Sequence, residues 1–97
     1  MIVYRFMFKK KKRLFNNEDW FSKRESRYYL VEDLIKRKLI LQMTKKDVIK
    51  FLGDEFNDIN CNIWTFYLGK KYLINFKERK LNIIFGDKGK VKQVLIK

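Results

Sequence analysis

The first half of the chain spaces its apolar residues as amphipathic helices do. Between residues 24 and 38 they recur every three or four positions, which predicts a helix with one buried side. A shorter helical stretch is predicted to begin before it, capped by Asn16 or Asn17, because such side chains satisfy free N–H groups at a helix start. The apolar positions of the longer helix are Tyr28, Val31, Leu34 and Ile35.

A further helix has both of its ends marked in the sequence. Thr44 is a good N-cap, and Asp47 stands three residues later, the spacing of a reciprocal capping box. Gly53 provides the left-handed residue at which helices commonly stop. The apolar stripe between these signals consists of Val48, Phe51 and Leu52.

The second half of the chain is rich in β-forming residues and turn signals. Gly69-Lys70 is predicted to be a type II′ hairpin turn, residues 77–80 a polar break, and residues 86–89 the clearest turn. Helices followed by strands indicate the α+β class, with two N-terminal helices packed on one face of a three- or four-stranded antiparallel meander sheet. The predicted strands are residues 62–68, 71–76, 81–85 and 90–97.

The two faces of this sheet are expected to differ in role. Trp64, Phe66 and Leu68 share one face, which has to meet the helices, so we interpret the aromatic residues mostly as core. Base stacking on Trp64, Phe66, Tyr67, Tyr72 and Phe85 is the alternative. The opposite face is a candidate protein interface, a dimer contact or a patch covered by residues 1–8. Its residues are Ile63, Thr65, Tyr67, Ile84 and Leu95.

Positive charge is strong and uneven. The formal net charge is +13 on 97 residues, and the first 13 residues hold six cations and no acid. We interpret residues 1–15 as a basic arm and residues 16–97 as a single domain. The arm is either a solvated tail or a contact for nucleic acid or an anionic membrane. The candidate anion-binding residues are Lys9, Lys10, Lys11, Lys12, Arg13, Lys70 and Lys71.

The residue types present argue against catalysis. The chain has no His and a single Cys, so neither an imidazole base nor a thiolate-rich zinc site is available. We interpret Cys61 as an inert small hydrophobe at the start of a strand, with a reactive or pairing thiol as the alternative. The acids of residues 54–60 lack the spacing of a calcium loop, which favours a helix-to-strand connection. We expect no enzymatic activity, no metal, no cofactor and no small-molecule substrate.

Three segments, in order, resemble the SmpA/OmlA family of BamE-like domains. They are MTKKDVIKFLGDEF, WTFYLG and LNIIFGDKGKV, within residues 39–95, although the family's Pro after Leu-Gly is absent and Gln42 replaces its Gly. The resemblance implies a bacterial origin, a helix–helix–sheet fold shared with the repeats of β-lactamase inhibitor proteins, no catalytic residues, and binding of partner proteins and anionic lipid. The residues that fit the family's preceding helix are Trp20, Arg27, Asp33, Leu34 and Ile35.

These observations together favour a non-enzymatic protein-binding module, an adaptor or an inhibitor- or immunity-type partner, whose basic charge selects an acidic protein. The alternative is an anionic-surface binder that takes up nucleic acid or an acidic membrane through the basic arm and the sheet lysines. No export signal or lipid-anchoring cysteine is recognisable in the sequence as written. We therefore expect a cytoplasmic protein, or a cell-envelope protein if the gene starts upstream.

Overall fold

The computed structural model describes residues 14–70 and 78–97, and its elements follow the predicted order of helices and then strands. The helices are α1 (Asn17–Ser22), α2 (Arg27–Lys36) and α3 (Lys45–Leu52), with a 3-10 turn, Arg24–Ser26, between α1 and α2. The strands β1 (Ile63–Lys70), β2 (Glu78–Phe85) and β3 (Val91–Ile96) form an antiparallel sheet in the order β1-β2-β3. The α+β class predicted from the sequence is confirmed.

Side-chain caps fix the beginnings of α1 and α3, as predicted. Asn16 accepts a hydrogen bond from the Asp19 N–H at 3.2 Å. Thr44 Oγ1 accepts from the Asp47 N–H at 3.2 Å, and Asp47 Oδ2 accepts from the Thr44 N–H at 3.3 Å, which completes the capping box. Gly53, with a φ of 85°, ends α3.

The long helix predicted over residues 24–38 is shorter and divided. Arg24–Ser26 forms a single 3-10 turn, and α2 ends at Lys36. The chain bends at this turn because Trp20 and Arg27 meet across it: Arg27 Nε donates to the Trp20 carbonyl at 2.7 Å. Trp20 and Arg27, which the resemblance places in one helix, therefore belong to two helices on either side of a corner.

The core lies between the helices and the inner face of the sheet. Trp64, Phe66 and Leu68 are fully buried, so the predicted inward face of β1 is confirmed. Because Trp64, Phe66 and Phe85 are enclosed by protein, they present no surface on which bases could stack. The helical side of the core comes from Trp20, Leu30, Val31, Leu34, Ile40, Val48 and Leu52, and the rest of the sheet side from Leu81, Ile83, Phe85 and Val91.

The predicted hairpin turn at Gly69-Lys70 is wrong. Gly69 pairs with Arg79 and Lys70 with Glu78, so both belong to the strand, and a bulge shifts the register before Gly69. Gly69 has a φ of 86°, and a Cβ there would lie 2.3 Å from the Glu25 carbonyl oxygen. The glycine is needed for a bulge and a close backbone approach, a use that its sequence context does not distinguish from a turn.

The later part of the sheet agrees with the pattern more closely. The polar break is wrong for residues 78–80, which extend β2 because their backbone pairs with β1. The turn at residues 86–89 is confirmed by a hydrogen bond from the Gly86 N–H to the Lys90 carbonyl at 2.8 Å. The predicted strand at 71–76 lies outside the described residues, within which the sheet has three strands.

We expect Gly69→Ala to lower the free energy of unfolding by about 3 kcal/mol or more, because the added Cβ combines a left-handed φ with a backbone clash. Gly89→Ala is the matched control: Gly89 also has a positive φ, 74°, but nothing lies within 4 Å of its added Cβ. Its cost is expected to be about 1 kcal/mol. Urea unfolding of both variants measures the difference, and equal losses would contradict the close approach to Glu25.

Candidate protein interface

The edge strand β1 points alternate backbone groups away from the sheet. The Phe85 N–H donates to the Asn62 carbonyl at 2.8 Å, and this pair fixes which residues of the antiparallel ladder bond to β2. Counting in steps of two from Asn62, Trp64 and Phe66 bond to β2. The N–H and C=O groups of the intervening residues Ile63, Thr65 and Tyr67 therefore face outward. Such groups invite pairing with another chain unless something covers them.

Asn57 covers the outward groups of Thr65. Its Oδ1 accepts from the Thr65 N–H at 3.0 Å, and its Nδ2 donates to the Thr65 carbonyl at 3.0 Å. A side-chain amide carries a donor and an acceptor side by side, as a peptide group does, so Asn57 imitates one residue of a neighbouring strand. Its Nδ2 also donates to the Asp54 carbonyl at 2.8 Å, which ties the amide to its own loop.

Arg27 and Glu55 cover the outward groups of Tyr67. Glu55 Oε2 accepts from the Tyr67 N–H at 2.7 Å, and Arg27 Nη1 donates to the Tyr67 carbonyl at 3.1 Å. The two side chains also form an ion pair, with 2.9 Å between Arg27 Nη1 and Glu55 Oε1. The guanidinium lies 4.1 Å from the centre of the Trp20 ring and is only 2% exposed. The buried guanidinium of Arg27 therefore has several hydrogen-bonding and ring partners.

Burial and pairing act in opposite directions on these two groups. Burial lowers the pKa of the Arg27 guanidinium while Glu55 opposes the change, and Arg27 stays charged because arginine titrates far above neutrality. Burial alone would raise the pKa of the Glu55 carboxyl. The Tyr67 N–H, Arg27 and Arg24 outweigh it, so this pKa lies below its usual value. The pair is therefore ionised at neutral pH.

The loop between α3 and β1 holds Phe56 in an unusual position. Glu55 and Phe56 have left-handed φ values of 46° and 62°, a conformation that costs about 1–3 kcal/mol in a bulky residue. Asp54 Oδ1 accepts from the Phe56 N–H at 3.2 Å and supports the turn. This backbone directs Glu55 inward to Tyr67 and leaves the Phe56 side chain fully exposed.

The remainder of the loop is also fixed. Trp64 Nε1 donates to the Asp58 carbonyl at 3.0 Å, and Lys45 Nζ donates to the Ile59 carbonyl at 2.6 Å. Cys61 is exposed and lies two residues before β1, so it is not the first residue of the strand. The reason is a turn in which the Cys61 N–H donates to the Asp58 carbonyl at 3.0 Å, before the strand begins.

The five candidate interface residues lie on the outer face of the sheet, away from the helices. Ile63 lies opposite Ile84, and Asn82 lies between Thr65 and Leu95 in the register. Ile63 is 59% exposed and Leu95 is 37% exposed. The outer face therefore presents accessible apolar side chains from both edge strands. The three half-buried members are Thr65, Tyr67 and Ile84.

The candidate anion-binding residues fall almost entirely outside the described residues. Lys70 is placed by its backbone, which pairs with Glu78 at the end of β1. Anion binding by this set stays a prediction. The members outside the described residues are Lys9, Lys10, Lys11, Lys12, Arg13 and Lys71.

Comparisons with known proteins add no relative: no family model, no curated protein and no solved structure matches the chain. Within residues 14–70 and 78–97, no helix is long and apolar enough to cross a membrane. The same residues contain no group of three His, Cys, Asp or Glu side chains that could hold a metal ion. The resemblance to the SmpA/OmlA family stays a prediction.

The cover of the β1 edge was not predicted, although one part of it left a signal. Arg27 precedes Leu30, Val31 and Leu34 by three, four and seven residues, so it belongs to the apolar stripe of α2. An arginine in such a stripe indicates a buried ion pair. Nothing comparable in the sequence identifies Glu55 or Asn57 as its counterparts on the strand.

We expect Glu55→Gln to lower the free energy of unfolding by about 3 kcal/mol at pH 7, because it leaves the buried Arg27 charge without its counterion. Glu32→Gln, on the exposed side of α2, is the matched control and is expected to change stability by less than about 0.5 kcal/mol. Urea unfolding measures both variants. Equal stability of Glu55→Gln and the wild type would contradict the role assigned to the pair.

The lowered pKa of Glu55 also predicts an acid dependence. Since the folded pKa lies below the unfolded one, the stabilisation is complete above the usual glutamate pKa of about 4 and is lost as pH falls through the folded value. Unfolding midpoints between about pH 6 and pH 2 should fall less steeply for Glu55→Gln than for the wild type. The Arg37 side chain also lowers the pKa of Asp33, and the contribution of Asp33 to the pH dependence is the same in both proteins. Identical slopes would contradict the assignment to Glu55.

Proposed function

We propose that the protein is a non-enzymatic protein-binding module of the BamE-like class, acting as an adaptor or as an inhibitor- or immunity-type partner. The observation that carries the proposal is an apolar outer sheet face beside an ordered loop with a fully exposed Phe56. Contiguous exposed apolar surface on a small protein commonly marks a contact with another protein.

Phe56 has the properties of an interface anchor. It stands between Glu55, which is bonded to Tyr67, and Asn57, which is bonded to Thr65, so it is held beside the β1 edge of the outer face. Aromatic side chains dominate binding energy at interfaces. A side chain whose backbone is already fixed loses less freedom on binding. The left-handed backbone at Phe56 is a cost to the free protein that a binding role would explain.

The net charge, the family resemblance and the residue composition give further support. A net charge of +13 favours an acidic partner and accelerates association with it. Gln42 stands where the BamE-like family carries glycine, and its φ of 71° is in the region that glycine prefers. The absence of His from the sequence removes the commonest general base and supports a binding role over a catalytic one.

The second candidate is binding to nucleic acid or an acidic membrane, favoured by the six cations among the first 13 residues. The two functions differ in their response to salt. Contacts between six or more cations and phosphates lose several orders of magnitude in affinity over a roughly fourfold increase in salt. An apolar protein contact changes little.

The test is capture from nuclease-treated lysate of the source organism on the immobilised full chain, at about 100 and 400 mM salt. The proposal expects a discrete protein that remains bound at the higher salt and is lost from the variant Ile63→Ser. Loss of all bound material at high salt, with nucleic acid or lipid recovered when nuclease is omitted, would overturn it. Loss of that anionic binding in residues 14–97 alone would then identify the arm.

We expect Phe56→Ala to weaken binding of the captured protein by at least about tenfold while leaving stability unchanged or slightly improved. Phe21→Ala is the control, since Phe21 is also an exposed phenylalanine but belongs to α1 and not to the loop before β1. Binding is measured by bio-layer interferometry with the purified partner, and stability by urea unfolding. Equal weakening by both variants, or by neither, would contradict the role of Phe56.

A further inference from the structure

On the opposite edge of the sheet, the described residues provide no side-chain cover like that of Thr65 and Tyr67 on β1. The Lys97 N–H donates to the Lys80 carbonyl at 2.8 Å, which sets the pairs of the β2–β3 ladder that exchange hydrogen bonds. Counting from Lys97 in steps of two, Leu95 and Gln93 bond to β2. The N–H and C=O groups of the intervening residues Val94 and Ile96 therefore point away from β2. They form the outward edge of β3.

Backbone contacts from residues 42 and 43 cover the beginning of β3. The Gln42 N–H donates to the Val91 carbonyl and the Val91 N–H to the Met43 carbonyl, both at 2.9 Å. After this point, no described residue bonds to the outward groups of Val94 or Ile96. Among residues 14–70 and 78–97, side chains therefore cover the outward groups of Thr65 and Tyr67 on β1, whereas those of Val94 and Ile96 on β3 are left open.

Two cavities lie along this edge and share Ile35 in their lining. The cavity of about 220 Å³ is lined by Val94, and the cavity of about 480 Å³ by Ile96. Both of these side chains pack against the core on the helical side of the sheet, and Ile35 from α2 lines both cavities. Ile40, Leu41 and Leu34 complete the apolar lining of the smaller cavity, and Leu14 and Tyr29 contribute to the larger.

The spacing of the cavities matches an added strand. Val94 and Ile96 are two residues apart, which is about 6.8 Å along a strand. Residues placed opposite them on an adjacent strand would have the same separation and would project toward the same side of the sheet. Two apolar side chains at positions i and i+2 of a bound segment would therefore each meet one cavity, while its backbone bonds to β3.

The charges at the edge distinguish among possible occupants. Four lysines lie along this edge: Lys36, Lys38, Lys92 and Lys97. Of the two acids nearby, Asp33 is paired with Arg37 at 2.6 Å, and Glu32 is the other. The edge is therefore positively charged. A second copy of this chain would bring its own lysines to the same seam, and like charges across a strand pair are destabilising. An acidic segment meets the opposite sign.

We infer that the open edge of β3 binds an extended acidic segment of a partner protein by strand addition, with alternate apolar side chains in the two cavities beside Ile35. This inference rests on the proposed function and names the chemistry of the partner. Leu95 lies on the outer face of β3, so the added strand would extend the outer face that the proposed function assigns to the same partner.

The experiment is a titration of the 15N-labelled full chain with the synthetic peptide EVEIEVE, followed by backbone amide resonances. A peptide of the same composition, EEVIVEE, keeps the charge and removes the alternation. Two further peptides carry N-methyl groups on one or the other alternate set of amides. Since only one side of a strand faces β3, one methylated peptide is expected to bind about tenfold more weakly and the other unchanged.

We expect the alternating peptide to shift the amides of Val94 and Ile96, and the composition control to bind about tenfold more weakly. Lys92→Glu should weaken binding, whereas Lys46→Glu, an exposed lysine on α3, should not. Equal binding of all four peptides, or no shift at Val94 and Ile96 at about 1 mM peptide, overturns the inference. The capture experiment separates this inference from the proposed function. If the peptides fail to bind but a protein is still captured and is lost from Ile63→Ser, the proposed function survives. If no protein is captured, the proposed function fails as well.

Discussion

The outward backbone groups of Tyr67 are the constraint around which the first half of the molecule is arranged. Covering them brings a buried guanidinium and a carboxylate to the edge of β1, and each needs further partners in turn. Arg27 therefore also binds the carbonyl of Trp20 and lies against its ring, and the Trp20 indole N–H donates to the Leu52 carbonyl at 3.0 Å. The ion pair thus connects α1, α2, the loop after α3 and the first strand, and Trp20 extends this connection to the end of α3.

The same constraint determines what the surface offers to other molecules. The backbone that directs Glu55 and Asn57 to β1 turns Phe56 to the outside, so covering this edge leaves an exposed aromatic side chain beside it. Beside the other edge strand, β3, lie two cavities whose lining includes lysines. Cover on β1 disfavours strand addition at Thr65 and Tyr67, while the described residues leave that possibility at Val94 and Ile96.

The order of elements, the caps of α1 and α3 and the inward face of β1 follow from local signals, and all were predicted. Thr44 and Asp47 act within one helical turn, and the alternation of Trp64, Phe66 and Leu68 is set by the pleat. Gly69 was assigned to a turn because its partner, the Glu25 backbone, is distant in sequence. The pairing of Glu55 and Asn57 with β1 depends on tertiary geometry, which periodicity does not contain.

The most direct test of this account is amide hydrogen exchange of the free protein, residue by residue. The amides of Thr65 and Tyr67 should exchange slowly although they lie on an edge strand, because Asn57 and Glu55 accept their hydrogen bonds. The amides of Val94 and Ile96 should exchange much faster than these. Fast exchange at Thr65 and Tyr67, or equal protection at Val94 and Ile96, would contradict the claim that side chains close one edge of the sheet and leave the other open.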